Sequence, residues 1–175
     1  NNMDCSSVTL TGIEVGCKDN MGGIKEVFIC LKSNITDDTF TVTGDKITAI
    51  SEDSKSEWKS YKFRKQTGGM TSTMTVDDAV GTQYWTTEVT LQFSKMETAK
   101  SVEINALCMA DTVVIVKDSN NRYWLLGYDN PVSVTAATAQ AGTSYGDLNG
   151  YNITLSDMSK NLPYEIEAEA MAGIN

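Results

Sequence analysis

Between residues 68 and 95 the chain alternates polar and apolar side chains through two consecutive runs. In residues 70–77, Thr71, Thr73, Thr75 and Asp77 fall on one face, and Met70, Ser72, Met74 and Val76 on the other. In residues 85–94, Trp85, Thr87, Val89, Leu91 and Phe93 alternate with Thr86, Glu88, Thr90, Gln92 and Ser94. Successive side chains of a strand point to opposite faces, so a period of two predicts extended structure, and two such runs predict a hairpin with one dry and one wet face. Residues 78–84 form its tip. Each arm of about nine residues, at roughly 3.3 Å per residue, would be about 30 Å long. A polar face of that length either meets solvent on a monomer or lines a pore shared by several copies.

The rest of the chain extends the β reading. Thr is plentiful, Pro is confined to Pro131 and Pro163, and turn residues recur at strand-like intervals. IKEVFICL over residues 24–31 predicts a buried strand, and residues 33–39 a loop. Residues 40–42 and 46–51 read as short strands joined at Thr43, Gly44 and Asp45. Residues 52–59 read as an exposed connection, with extended structure again over 58–66. TVVIVK over residues 112–117 and RYWLLGY over 122–128 form a second, apolar hairpin. Residues 132–138 and 152–156 add strands, with bends at Gly146, Asp147, Asn149 and Gly150 between them. Residues 163–168 fit a further strand or an arm.

One helix interrupts this pattern. Ser94-Lys95-Met96-Glu97 matches a capping box, and Ala99, Val102, Ala106 and Met109 recur at helical spacing, so residues 96–109 are expected to pack that stripe on the sheet. With 175 residues, no low-complexity linker and no internal repeat, the chain reads as one domain, with extended arms at residues 1–16 and 157–175. The expected class is mainly β: an antiparallel sandwich or barrel with one flanking helix and a long amphipathic hairpin.

Charge and residue types narrow the chemistry. The absence of His removes the commonest general base and every Ser-His-Asp or Cys-His nucleophile system. A net charge of −9 opposes a broad footprint on nucleic acid, where affinity comes from Lys and Arg at phosphates. Cys5, Cys17, Cys30 and Cys108 lack CxxC spacing; they read as free buried thiols, with a Cys5 to Cys17 bridge as the alternative. The acid pairs Asp37-Asp38 and Asp77-Asp78, and Asp118, Asn120, Asp147 and Asn149, have neither calcium-loop nor glycosidase spacing and read as solvated turns. Gly22-Gly23 and Gly68-Gly69 read as turns rather than phosphate loops. Asn34-Ile35-Thr36 and Asn152-Ile153-Thr154 match the glycosylation triplet, which chance supplies in an Asn- and Thr-rich chain. Trp85 and Trp124 are expected in the core, whereas Trp58, flanked by Glu57 and Lys59, fits either the core or a sugar-stacking platform. No run of 18 apolar residues occurs and NNMDCSSVTL lacks signal-peptide character, so no membrane contact is expected; the chain does not begin with Met, and its compartment stays open. No cofactor, no metal and no catalytic residue is expected.

YWLLGYDNPVSVTAATAQAGTSYGDLNGYNITLSDMSKNLPYEI, over residues 123–166, resembles the C-terminal part of tail tube proteins, or tail-tube-like virion proteins, of Bacteroidetes-infecting phages. The likeness lies in an aromatic strand ending in Leu-Gly, an Ala/Gly/Thr-rich strand, then Gly-Asp-x-x-Gly-Tyr and a Thr/Leu strand. Cys17-Lys-Asp and Gly22-Gly23-Ile24-Lys25 resemble the opening of those proteins. The resemblance implies a structural, non-enzymatic subunit, made in the bacterial host cytoplasm, that assembles into stacked rings, commonly hexamers, in the phage tail. The inner sheets of the rings would close into one barrel around a channel for DNA ejection. Its partners would be further copies, other tail or connector proteins, and DNA as non-specific cargo. On that reading Thr71, Thr73, Thr75, Asp77, Glu88, Thr90 and Gln92 face the lumen, and Met74, Val76, Trp85, Val89, Leu91 and Phe93 face the core or a neighbouring subunit. A connector, a capsid-associated protein or a contractile-injection subunit of the same fold are variants of it. The alternative from another class is a secreted β-sandwich adhesin, pilin or carbohydrate-binding module.

Overall fold

A computed structural model describes residues 8–175. Residues 8–23 run without regular structure and lie exposed along their length. The strands that follow are β1 (Ile24–Leu31), β2 (Phe40–Thr43), β3 (Lys46–Ile50), β4 (Lys59–Lys62), β5 (Gly69–Asp77) and β6 (Thr82–Ser94). Helix α1 (Thr98–Met109) precedes β7 (Thr112–Asp118), β8 (Tyr123–Leu126), β9 (Ser133–Gln140), β10 (Gly150–Ser159) and β11 (Tyr164–Ile166). They form a seven-stranded sheet, ordered β2-β3-β11-β8-β7-β1-β4, and a four-stranded sheet, ordered β5-β6-β10-β9. Neighbouring strands pair antiparallel except β11 with β3, which run parallel.

The run TVVIVK explains the layering. A strand buried on both faces needs apolar residues at consecutive positions, and Val113, Val114, Ile115 and Val116 are all fully buried. Val114 and Val116, with Val27, Ile29 and Leu126, pack against Val89, Leu91, Ile153 and Leu155 of the smaller sheet and Leu107 of α1. Val113 and Ile115, with Phe28, Cys30 and Leu125, face the opposite way into a second core of Phe40, Ile47, Ile50, Trp58, Ile166 and Met171. Phe40 on β2 and Trp58 beside β4 come from opposite ends of the larger sheet, yet their ring centroids are 6.2 Å apart. The larger sheet is therefore rolled around this second core, while its other face forms a sandwich with the smaller sheet.

Three expectations change at this level. Residues 157–175 are not an arm: β11 inserts between β3 and β8, and Ile166, Ala170, Met171 and Ile174 are buried in the second core. The apolar side chains of the tail had an unfilled interior to enter, inside the rolled sheet. The helix start is not a capping box, because Ser94 remains in the ladder opposite Gly150 and Glu97 takes the N-cap position without a side-chain cap. Asn149 Oδ1 accepts the Met96 N–H at 2.9 Å instead, and Lys100 Nζ donates to the Ser94 carbonyl at 2.6 Å. The buried side of α1 is also rotated from the expected stripe: Leu107 is buried and Ile104 packs beside it, whereas Val102 is 63% and Met109 90% exposed. On the side that packs, Ile104 and Leu107 bury more apolar area than Ala99 and Ala106 would.

Trp58, for which both the core and a surface platform stood open, is 2% exposed and fully interior, whereas Trp85 and Trp124, expected in the core, are half-buried. Trp124 Nε1 donates to Asp118 Oδ2 at 3.1 Å. Glu57 and Lys59 turn outward around Trp58 because the 3-10 turn Glu52–Glu57 ends there and the chain becomes extended. Of the cysteines, Cys17 and Cys108 are exposed and Cys30 is buried, all three as free thiols; Cys5, and with it any pairing to Cys17, lies outside the described residues.

Candidate assembly face

The four-stranded sheet owes its polarity to the hairpin. β5 pairs with β6 so that Thr71 lies opposite Glu88, Thr73 opposite Thr86 and Thr75 opposite Tyr84, all on the face turned away from the larger sheet. β10 adds Asn152, Thr154 and Ser156 opposite Gln92, Thr90 and Glu88, and β9 adds Ala136 and Thr138 opposite Thr154 and Asn152. Thr71, Thr73, Thr75, Asp77, Glu88 and Thr90 are exposed on this one face, with Gln92 partly covered. None of the four strands contains a Lys or an Arg, so the face has carboxylates but no cation of its own. Asp77 closes the tip, its Oδ1 accepting the Ala79 N–H at 3.0 Å.

The opposite face divides along its length. Val89 and Leu91 are fully buried against the larger sheet, and Phe93 stacks edge-on against Tyr61 and Phe63 at 6.3 and 6.5 Å. Towards the tip the hairpin runs past the core. Ser72 and Thr87, whose hydroxyls are 2.8 Å apart, mark the transition. Beyond them Met74 is 44% and Val76 48% exposed, with Trp85 half-buried beside Met74. Val80 at the tip is 70% exposed. Met74, Val76 and Trp85 thus make an apolar overhang that no residue of their own chain covers fully.

Both borders of this sheet are open. β5 and β9 each have one neighbour, leaving a nine-residue and an eight-residue edge. Edge strands of monomeric proteins are commonly blunted with Lys or Pro, and neither residue occurs in β5 or β9. The alternating hairpin made the polar face visible in the sequence, but nothing in SVTAATAQ marks β9 as a border, because small Ala and Thr suit an inner strand equally well.

The remaining polar groups serve the framework. Asp118 Oδ1 accepts the Asn120 and Arg122 N–H groups at 2.8 and 2.9 Å, pinning the β7–β8 turn. Asp147 Oδ2 accepts the Thr143 and Ser144 N–H groups, both at 2.9 Å, and these bonds hold its carboxyl below the usual range. Asp37 and Asp38 are exposed in a 3-10 turn. Tyr61 donates to Glu103, and burial together with that carboxylate pushes the phenol upward. Among the described residues no cluster of three or more His, Cys, Asp or Glu is arranged to hold a metal, and no helix is long and apolar enough to cross a membrane. The three tryptophans belong to different elements and form no common platform. No protein-family model matches the chain, and neither a curated protein nor a solved structure matches it significantly.

Proposed function

We propose that the chain is a structural subunit of a phage tail tube, joined to copies of itself edge to edge through the four-stranded sheet, with the Thr-rich face lining a channel for DNA. The observation that carries this reading is the pair of long borders on one sheet, free of Lys and Arg and without a strand partner. β5 and β9 run in opposite directions, since each step of β5-β6-β10-β9 is antiparallel. A copy rotated about a ring axis would bring its β5 beside the first copy's β9 and continue the antiparallel alternation. Such a head-to-tail contact uses two different surfaces and closes when the rotation divides a circle, as in a hexamer. Closure would cover both edges, and neighbouring subunits would cover the apolar overhang of Met74, Val76 and Trp85.

The lining suits a conduit. Thr, Ser, Asn and Gln hydrate a wall without fixing a ligand, and carboxylates without Lys or Arg repel phosphate. DNA would slide through such a channel rather than bind to it, and no catalytic step is required. Stacked rings would form the tube in the virion, alongside other tail or connector proteins.

Negative-stain electron microscopy of the purified chain at increasing concentration tests the reading. Hollow rings or tubes are expected, and their loss in the double variant Ala136→Lys, Thr138→Lys, which charges the β9 border. Monomers of the natural sequence at every concentration, confirmed by light scattering, would refute it.

A further inference from the structure

The far end of β10 carries a buried acid that the assembly face does not use. Asp157 is only 5% exposed, on the inner face with Tyr151, Ile153 and Leu155, and its Oδ1 has no hydrogen-bond partner. A carboxylate oxygen withdrawn from water without a donor is costly, and native proteins satisfy such an atom with a proton, a water or a cation.

The surroundings select among these. A small space of about 10 Å³, room for about one water or ion, has Asp129, Asp157, Ser159 and Asn161 on its polar side and Leu125, Leu162, Pro163 and the rings of Tyr128 and Tyr164 on the other. Asp157, Ser159 and Asn161 stand at alternate positions of the chain, and Asp129 comes from the β8–β9 connection. Ser159 Oγ donates to Asp129 Oδ2 at 2.7 Å and accepts the Asn161 N–H at 3.3 Å. Asn130 Nδ2 donates to the Met158 carbonyl at 2.9 Å, so the β8–β9 connection is already held beside the end of β10. Lys32 is the neighbouring cation, and its Nζ donates to the Gly127 carbonyl at 3.1 Å. One ammonium against two carboxylates leaves the group a net negative charge.

We infer that Asp129, Asp157, Ser159 and Asn161 form a calcium site that ties the β8–β9 connection to the far end of β10 and the residues just after it. All four supply hard oxygen ligands, two of them carboxylates, and calcium accepts such irregular sets, completing its shell with backbone carbonyls and water. No sulfur or imidazole lies in the lining, so the site does not suit zinc or copper.

Terbium, a luminescent stand-in for calcium, tests the site on the full chain. Tyr128 and Tyr164 line the same space and can sensitise terbium emission when excited. The expected result is a saturable signal displaced by calcium, together with a calcium-dependent rise in the thermal midpoint. Asp157→Asn and Asp129→Asn should each weaken terbium binding about 10-fold or more and abolish the rise. Ser159→Ala and Asn161→Ala keep both carboxylates and guard against misfolding of the first pair; each should weaken binding measurably. A signal unchanged by Asp157→Asn, binding unchanged in both alanine variants, or a natural sequence whose midpoint ignores millimolar calcium would overturn the site.

Discussion

Cys17, Cys30 and Cys108 share one chemistry and occupy two environments. A thiol reacts as its thiolate, so both access and charge decide which one is modified. Cys30 lies in the core within the rolled sheet, where burial, with Glu57 adding to the effect and Lys59 opposing it, pushes its thiol up to about 11. Cys17 and Cys108 are exposed. Iodoacetamide at pH 8 should therefore label Cys17 and Cys108 within minutes and Cys30 only after denaturant is added, as peptide mass mapping would show. Labelling of Cys30 at the rate of the other two in the folded protein would contradict its placement. The expectation of buried thiols holds for Cys30, within the strand IKEVFICL, and fails for Cys17, in the exposed segment before β1, and for Cys108, on an exposed side of α1.

At the scale of elements, legibility tracked how much a pattern depends on distant partners. The hairpin of β5 and β6 was readable because alternation of Thr with Val, Leu and Phe is written along the strand itself. The doubly buried β7 was readable as an apolar strand, but which cores its two sides enter was not, since those cores are built from residues far along the chain. Helix α1 was readable in extent and misread in orientation, because Ala99, Val102, Ala106 and Met109 match helical spacing as well as Ile104 and Leu107 do. Packing area decides between such stripes, and it belongs to the sheet opposite. Leu107→Ala should therefore cost about 2–4 kcal/mol. Val102→Ala should stay within about 0.5 kcal/mol. Urea unfolding of the two variants measures both, and equal losses would restore the first orientation. The four oxygens of the calcium site were equally hidden: Asp157-x-Ser159-x-Asn161 reads as the end of a strand until Asp129 is brought beside it by folding.

At the scale of the whole molecule, the two ends of the chain differ in what they contribute. Leu10, Ile13 and Val15 are 94%, 100% and 101% exposed, so residues 8–16 give the described domain almost no burial. Ile166, Ala170, Met171 and Ile174 are 2–7% exposed within a core. Replacing Leu10, Ile13 and Val15 together by Ser should shift the thermal midpoint by less than about 2 °C. Removing residues 164–175 should prevent folding. Each large apolar side chain lost would forgo about 1.5–3 kcal/mol, set against a net stability of about 5–15 kcal/mol. Calorimetry and circular dichroism of the two variants read out the contrast, and a folded truncation would show that the tail is dispensable to the rolled sheet.

The two-sided burial of β7 also sets an order of events in time. Val114 and Ile115 are adjacent in the chain and enter different cores, so neither core can close until the β1–β7 ladder exists. Substitutions in that ladder should slow folding, with φ-values of about 0.5–0.8, while those in β5 and β9 should mainly speed unfolding, with values near 0–0.3. Uniform values across all four strands would remove the order. A topology of such distant pairings folds over about milliseconds to seconds. Within that interval the borders of the smaller sheet would be the last parts to take shape, so a newly made chain would present those unpaired edges only after its interior had closed.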